Sequence, residues 1–199
     1  MYFEYGQEVM DYLTERDPVL GEAIREIGPI QRKVMPDLFK GLVRNIIGQQ
    51  IASKAAATVW DRFQNHVEEV IPEKVAKLEL EEIQQLGMSM RKATYIHGIA
   101  KEIDRGELDL KELSKLPDEA VVKALQSLPG IGIWTAEMLM IFSMQRLDVL
   151  SWGDLGIKRG MMRLYGLETL DRKTFEFYRS LYSPYGSVAA LYLWELSAD

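Results

Sequence analysis

The amino-acid sequence predicts an all-α protein, and three observations support this fold class. Apolar residues recur at intervals of three and four along most of the 199 residues, which is the spacing of a helix with one buried face. Proline, glycine and capping residues separate the apolar segments, as they do between helices, in place of the alternating pattern that is typical of strands. With 47 % hydrophobic residues, the chain can form a buried core.

Capping residues predict where helices begin in the first half of the chain. Asp, Ser and Asn at a helix start accept hydrogen bonds from N–H groups of the first turn, and proline is favoured in that turn. The predicted starts are at Asp17 with Pro18, at Asp37, and at Ser89 before a helix over 90–104. Three glycines predict helix ends: Gly87, Gly106 and Gly166.

The second half of the chain contains a predicted pair of helices and then three more. Pro117 and Asp118 open a short helix, and Leu128-Pro129-Gly130-Ile131-Gly132 ends it. The helices predicted after this turn cover residues 134–144, 155–165, 172–181 and 185–197. We therefore expect ten or more short helices joined by short loops.

The composition excludes several classes of function. The chain has no cysteine and two histidines, which excludes iron–sulfur clusters, thiol catalysis and cysteine zinc sites, and disfavours a Ser-His-Asp triad. The first residues lack the basic and apolar regions of a signal peptide, and no apolar run is long enough to cross a membrane. We expect an intracellular protein, cytoplasmic or nucleoid-associated, with no membrane partner.

The net charge of −6 argues at first against a polyanionic partner, but the charge is unevenly distributed. Residues 31–65 carry six basic and two acidic side chains, and residues 121–165 carry five basic and three acidic ones. These two segments are therefore positive, by +4 and +2, within an acidic chain. A binding surface for phosphate groups remains possible in these segments.

The turn at residues 128–132 has the features of a phosphate-binding element. Glycine permits positive φ and close approach of another backbone, and the turn leads into a helix N-terminus, where N–H groups stabilise anions. The alternative is an ordinary helical hairpin whose glycines only form a tight turn. The longer string Leu128-Pro129-Gly130-Ile131-Gly132-Ile133-Trp134-Thr135-Ala136 resembles the helix–hairpin–helix signature of the DNA glycosylase superfamily.

This resemblance implies an all-α fold of two lobes with a cleft between them, within one glycosylase unit over 1–199. Lobe A would cover about 41–150, and lobe B about 1–40 with 151–199. The partner would be double-stranded DNA, bound by a monomer, with one phosphate held by Pro129, Gly130, Ile131 and Gly132. A Na⁺ or K⁺ ion would be held beside that phosphate by the backbone carbonyls of Gln126, Leu128 and Ile131.

The segment from Asp148 to Gly156 resembles the part of the family that carries the catalytic aspartate, which makes Asp154 the candidate. A carboxylate there would stabilise the oxocarbenium-like deoxyribose of glycosidic cleavage and orient the attacking water. The alternative is that Asp154 only caps a helix, and the two interpretations are compatible. Asp148 matches a second, structural position that would bond to local backbone, and Ser151 stands where the family usually has proline.

Trp134 occupies the position where lyase-competent relatives have a lysine nucleophile, so the resemblance implies a monofunctional enzyme without a catalytic cofactor. Tryptophan here resembles the alkylbase branch, the 3-methyladenine DNA glycosylase II type. Electron-rich rings suit cationic alkylated bases. Trp194 matches a second pocket aromatic, with the alternative that it belongs to the buried face of a terminal helix. Trp152 is a further pocket candidate, and Gly186 stands where the family commonly has arginine.

The stretch 39–56, with Gly48-Gln49-Gln50-Ile51, also resembles this branch. The resemblance implies that Gln49 and Gln50 lie on a loop that enters the minor groove and fills the gap left by a flipped nucleotide. The alternative is an exposed helix end after Gly48. A weaker match at residues 87–95 places Arg91 and Lys92 at a helix start that faces solvent or phosphate.

The sequence therefore predicts a base excision repair enzyme that flips an alkylated purine such as 3-methyladenine and hydrolyses its glycosidic bond, leaving an abasic site. Two alternatives stay open. One is a non-catalytic helix–hairpin–helix module that binds DNA structure, and the other is a glycosylase for deaminated or oxidised bases, because substrate choice depends on pocket shape.

Overall fold

The structure is a computed structural model that describes residues 1–198. Within these residues the regular structure consists of thirteen α-helices and one isolated antiparallel bridge between Tyr2 and Lys33. The helices are α1 (Gln7–Arg16), α2 (Pro18–Ile27), α3 (Leu38–Gly48), α4 (Ser53–Val67), α5 (Pro72–Val75), α6 (Leu80–Gln85), α7 (Met90–Asp104), α8 (Leu110–Leu113), α9 (Asp118–Gln126), α10 (Ile133–Phe142), α11 (Leu155–Tyr165), α12 (Arg172–Tyr182) and α13 (Gly186–Ser197). The all-α prediction is confirmed.

Capping side chains set the helix starts as the sequence predicts. Asp17 Oδ1 accepts from the N–H groups of Val19 and Leu20, and Ser89 Oγ accepts from Lys92 N–H. The predicted bounds of α7 and α11 match the observed ones, whereas α10 begins one residue earlier and ends two residues earlier than predicted. Helix ends are the less certain part of a sequence-based prediction because fraying and tertiary contacts set them.

The chain divides into two compact units. The inner unit is residues 35–139, and the terminal unit is residues 1–34 together with the chain from residue 140 onward. The lobes predicted from the sequence have boundaries near residues 40 and 150, and those lobe boundaries stay a prediction.

In the inner unit, α7 packs against α3, α5 and α6, and α3 also packs against α4. Both helices bury aliphatic side chains, among them Leu42 and Ile46 on α3 and Ile96 on α7. These two helices support the loop that follows α3, because each contributes its apolar face to one core.

In the terminal unit, α13 packs against α2, α11 and α12. Every residue of α13 from Gly186 to Leu193 is buried, which explains why this helix is apolar on all sides. Asp154 caps α11 and Trp194 lies on α13, so the packing of these two helices fixes their separation. None of the helices within residues 1–198 has the length and apolar character needed to cross a membrane.

Candidate functional site

Asp154 is the N-cap of α11 and is 8 % exposed. Its Oδ1 accepts the N–H of Ile157 at 2.9 Å, which confirms the capping interpretation. The same oxygen accepts the indole Nε1–H of Trp194, also at 2.9 Å. A cap needs only the first of these bonds, so the second one, from a different helix, fixes the orientation of the carboxylate beyond what helix capping requires.

Trp194 forms part of an aromatic pair with a cation on it. Its ring stacks on Phe142 with the centroids 5.5 Å apart and the planes at 29°. The guanidinium carbon of Arg32 lies 5.4 Å from the Phe142 centroid and 5.7 Å from the Trp194 centroid. Arg32 therefore occupies a cation–π position over both rings.

The loop that leads to Asp154 is anchored by a buried serine. Ser187 Oγ accepts the N–H of Val149 at 2.9 Å and donates to the carbonyl of Arg146 at 2.6 Å. Ser187 N–H donates to Leu147 O at 2.9 Å. Because Ser187 is fully buried at the start of α13, these three bonds tie the loop to the helix that carries Trp194.

Asp148 strengthens the same connection, although its partners are not the local ones that the sequence predicts. Its carboxylate accepts from Ser183 Oγ at 2.6 Å and from Gly186 N–H at 3.2 Å, both far along the chain. A Cβ at position 186 would lie 2.9 Å from Asp148 Oδ1. Glycine permits this close approach, so Gly186 here serves the loop geometry in the position where the family commonly has arginine.

Trp152 has partners of its own within the terminal unit. Its ring meets Phe175 edge to face at 5.1 Å, and the cationic groups of Lys158 and Arg172 lie 4.7 and 5.3 Å from its centroid. Trp194 donates a hydrogen bond to Asp154, and a pocket role for Trp152 stays a prediction.

In the inner unit, residues 128–132 form a tight turn between α9 and α10. Ile131 N–H donates to Leu128 O at 3.2 Å, with Pro129 and Gly130 between them. Gly130 has φ of +81°, the conformation that a type II turn needs at its third position after proline. The first helical bond of α10 runs from Ala136 N–H to Gly132 O, so the turn opens directly into the N-terminal turn of a helix.

Two residues from other segments hold this turn. A Cβ on Gly130 would lie 2.3 Å from Cδ2 of Tyr95, so the tyrosine ring packs directly against the glycine. Gln49 Nε2 donates to the carbonyl of Gly130 at 2.8 Å. The structure thus brings together two of the predicted DNA-binding segments, the hairpin and the loop after α3.

That loop, residues 48–51, follows the C-terminus of α3, as the helix-end alternative predicts. Gln50 is exposed and has φ of +57°, a conformation that residues other than glycine rarely adopt. Lys92 does not face solvent or phosphate as predicted, because its Nζ donates to Ile47 O at 2.8 Å and to Gln49 O at 2.7 Å. The sequence interpretation of Lys92 is wrong, since the helix end offers carbonyl acceptors that a lysine one helix away can reach.

Trp134 lies in the first turn of α10 and is 42 % exposed. It follows the hairpin directly, and its neighbour Ile133 is 46 % exposed. A large exposed aromatic side chain can contact a bound molecule. The role of Trp134 as a pocket residue stays a prediction.

Sequence reasoning missed three features of the terminal unit, Arg32, Phe142 and Ser187, and one of the inner unit, the structural role of Lys92. A serine inside the apolar stretch 186–193 is the signal that could have identified Ser187, because a buried hydroxyl needs partners. Within residues 1–198, no group of three or more His, Asp or Glu side chains is placed to hold a metal ion.

Comparison with known proteins gives one family and several similar structures. A family model described as "HhH-GPD superfamily base excision DNA repair protein" matches residues 43–184. Among curated proteins, DNA-3-methyladenine glycosylase 1 of Schizosaccharomyces pombe is 34 % identical over 164 residues, which cover 80 % of this chain and 72 % of that protein.

Two solved structures are similar over nearly the whole chain. A DNA-3-methyladenine glycosidase from Bacillus halodurans has a TM-score of 0.89 and 36 % identity, and the match covers 99 % of this chain and 92 % of that one. The 3-methyladenine DNA glycosylase of S. pombe in complex with abasic DNA has a TM-score of 0.80 and 28 % identity, with 94 % and 95 % of the two chains covered.

Proposed function

Because the chain belongs to the HhH-GPD superfamily of base excision DNA repair proteins, we propose that it is a DNA glycosylase for alkylated purines such as 3-methyladenine. Its substrate is double-stranded DNA with a damaged base, and it acts as a monomer. The relatives described above act on 3-methyladenine in DNA, according to their names. The observation that carries the proposal is the double hydrogen bond on Asp154 Oδ1, from Ile157 N–H and Trp194 Nε1–H.

In the proposed reaction, the bond between C1′ of the deoxyribose and the base nitrogen breaks, and its electron pair leaves with the base. An alkylated purine that carries a positive charge becomes neutral as it leaves, so it needs no proton from the enzyme. Asp154 stabilises the oxocarbenium-like sugar and orients the water whose oxygen bonds to C1′. The water then gives up a proton to the carboxylate or to solvent, and an abasic site remains.

The stacked pair of Phe142 and Trp194 supports alkylated bases as the substrate class. The Arg32 guanidinium lies over this pair, and a cationic alkylated base that took its place over the indole would gain about 0.5 to 2 kcal/mol from the same kind of interaction. A neutral oxidised or deaminated base lacks this contribution. Trp134 and Trp152 complete the proposed set of pocket aromatics.

The hairpin supports DNA binding through main-chain groups. Pro129, Gly130, Ile131 and Gly132 present a turn and a helix N-terminus to one phosphate. The loop with Gln49 and Gln50 enters the duplex, where Gln50 replaces the flipped nucleotide and Gln49 holds the loop to the hairpin through Gly130 O. Trp134 stands where strand cleavage through a Schiff base would need an amine, so we propose that the enzyme has no lyase activity.

A monovalent cation fits the hairpin chemically. Gln126 is the last residue of α9, where carbonyls lack intrahelical donors, and the three carbonyls of Gln126, Leu128 and Ile131 form an oxygen-only set that suits Na⁺ or K⁺. Leu128 O already accepts the N–H of Ile131, which leaves its second lone pair for an ion. The cation would supply charge beside the bound phosphate.

Asp154→Asn tests the catalytic assignment. Asparagine is as good an N-cap as aspartate, so α11 and DNA binding should persist, whereas release of 3-methyladenine from alkylated duplex DNA should fall on the order of 100-fold or more. Asp171→Asn is the matched control, because Asp171 caps α12 in the same way through Thr174 N–H at 2.7 Å. Unchanged release by Asp154→Asn would remove Asp154 from the chemistry.

The same assay separates the alternatives when it is run on duplexes with alkylated, deaminated and oxidised bases. Base release without strand breaks before alkaline treatment is the expected result for the wild-type protein. DNA binding with no base released from any duplex would support the non-catalytic helix–hairpin–helix module, and preferential release of deaminated or oxidised bases would contradict the alkylbase assignment.

A further inference from the structure

Lys92 makes an unusual contact for a lysine in the first turn of a helix. Its side chain leaves α7 and donates from Nζ to two main-chain carbonyls, Ile47 O at 2.8 Å and Gln49 O at 2.7 Å. Ile47 lies in the last turn of α3, and Gln49 is the C-cap of that helix and part of the 48–51 loop. The charge of Lys92 is therefore directed at the backbone of the loop proposed to enter DNA.

The end of α3 is where such a contact has the largest effect. The last carbonyls of a helix have no intrahelical donors and form the negative end of its dipole, so an ammonium group there satisfies hydrogen bonds and charge together. Burial lowers the pKa of the Lys92 ammonium below its ordinary value, and the charge of Arg91 lowers it further. The ammonium group thus exchanges part of its hydration for the two carbonyls.

The same helix also holds the hairpin. Tyr95, one turn after Lys92, packs against Gly130, and Gln49 donates from Nε2 to Gly130 O. Three contacts thus connect α7, the 48–51 loop and the hairpin within the inner unit. Lys92 joins α7 to the loop, Tyr95 joins α7 to the hairpin, and Gln49 joins the loop to the hairpin. Lys92 binds the carbonyl of Gln49, and the next residue, Gln50, has the strained φ of +57°.

We propose that Lys92 is a positioning residue that fixes the 48–51 loop against the hairpin, so that Gln50 is already oriented to replace a flipped nucleotide. This inference rests on the proposed function for its use in DNA repair, but the fixing of the loop does not depend on activity. Without Lys92, the loop must be ordered when DNA binds, and the cost of that ordering adds to the cost of unstacking the base.

Lys92→Met tests the positioning role first without DNA. Methionine keeps an unbranched apolar stem and removes the ammonium, and Lys101→Met on the same helix is the matched control. We expect hydrogen exchange at the Gln49 N–H, which donates to Ile46 O at 3.3 Å, to become about tenfold faster in Lys92→Met and to stay unchanged in Lys101→Met. Lys92→Arg keeps a cationic donor and should restore slow exchange.

With DNA, the defect should depend on how difficult base flipping is. We expect Lys92→Met to release the base from a fully paired duplex about tenfold more slowly, with a smaller loss when the damaged base lies opposite an abasic site and is already unpaired. A direct phosphate contact by Lys92 would instead flatten the slope of log affinity against log salt by about 0.9, and we expect this slope to stay unchanged.

The exchange and activity measurements test separate parts of the proposal. Unchanged exchange at Gln49 in Lys92→Met overturns the positioning role, whatever the activity of the protein. Equal losses on paired and unpaired substrates, or a flatter salt slope, overturn its use in base flipping. Faster exchange in Lys92→Met, together with a wild-type protein that releases no base, would sustain the positioning role and refute the proposed function.

Discussion

Trp194 contributes to the site with both its ring and its N–H group. The ring stacks on Phe142, and Nε1–H donates to Asp154 at 2.9 Å. A residue that only closed a pocket would need the ring alone. The bond to the carboxylate makes Trp194 a determinant of the Asp154 geometry as well as a candidate wall for the base.

Trp194→Phe separates these two contributions, because phenylalanine keeps a stacking ring and removes the donor. A hydrogen bond to a charged group is worth about 1.5 to 3 kcal/mol, so we expect kcat for base release to fall by about tenfold or more while DNA affinity changes little. Trp60→Phe is the control, since Trp60 is buried and stacked on Phe63 in the inner unit.

Both variants should stay folded in thermal unfolding, with the larger loss of stability in Trp194→Phe, which also loses the bond to Asp154, and only Trp194→Phe should lose activity. Wild-type kcat in Trp194→Phe would show that the donor is dispensable and would reduce Trp194 to a stacking surface.

Single residues also show what could be predicted from the sequence. The capping role of Asp154 could be predicted because a cap acts within its own segment, whereas its candidacy as the catalytic residue came from the resemblance of segment 148–156 to the family. Arg32 and Phe142 could not, because their contact with Trp194 joins segments more than 50 residues apart, and nothing in the local pattern of either segment encodes it.

At the scale of helices, the local signals were sufficient for starts and weaker for ends. Caps at Asp17, Asp37 and Ser89 predicted α2, α3 and α7, because a cap acts within its own turn. The end of α10 was placed too late, since its apolar sequence continues to Met144 and the hydrogen bond from Arg146 N–H to Met140 O closes the segment differently. The short helices α5 and α8 lack a long apolar period and were not individually predicted.

The contact of α7 with α5 gives the inner unit a pH dependence through His97. Burial lowers the pKa of His97 below its ordinary value of 6.5, and the charge of Lys101 lowers it further. Hydrogen bonds with the backbone of Ala76 and Leu78 and the charge of Glu79 raise the pKa, but by less. Nε2 of His97 is buried and has no hydrogen-bond partner among the described residues. The packed arrangement therefore favours the neutral imidazole.

The pKa of His97 is lower in the folded protein than in the unfolded chain, so the unfolded chain binds the proton more tightly. Acidification therefore favours unfolding. The contribution of His97 to stability is complete above about pH 6.5 and is lost as the pH falls through the folded pKa. We expect His97→Gln to remove this loss, so that the free energy of unfolding changes less between pH 7.5 and pH 5 in urea titrations. His66 is exposed, so His66→Gln should keep the loss of stability at low pH. If both variants lost stability equally on acidification, the assignment to His97 would be contradicted.

At the scale of the whole molecule, the charge distribution is relevant to how DNA is bound. The net charge is −6, although residues 31–65 and 121–165, which carry the 48–51 loop, the hairpin and Asp154, together carry +6. Several cations in these segments already have partners inside the protein: Arg32 on Phe142 and Trp194, Lys40 with Asp37, and Lys158 on Trp152. Of the eleven basic side chains in the two segments, these three already have partners, and the rest of the chain carries −12. We therefore expect few ionic contacts with phosphate groups, with main-chain N–H groups doing much of the binding.

This charge distribution predicts a shallow salt dependence of DNA affinity. Each neutralised phosphate contributes about −0.9 to the slope of log affinity against log salt, so three or four contacts give a slope of about −3 to −4. Affinities measured from about 50 to 300 mM KCl by fluorescence anisotropy check the prediction, with a duplex that contains an abasic site. A slope near −9, as about ten contacts would give, would show that ionic contacts dominate.

Replacing KCl with tetramethylammonium chloride tests the proposed cation at the hairpin. If the hairpin carbonyls hold K⁺, DNA affinity should fall in tetramethylammonium chloride while the salt slope stays the same, because tetramethylammonium is too large to fit beside the phosphate. Equal affinity in the two salts would contradict the hairpin cation.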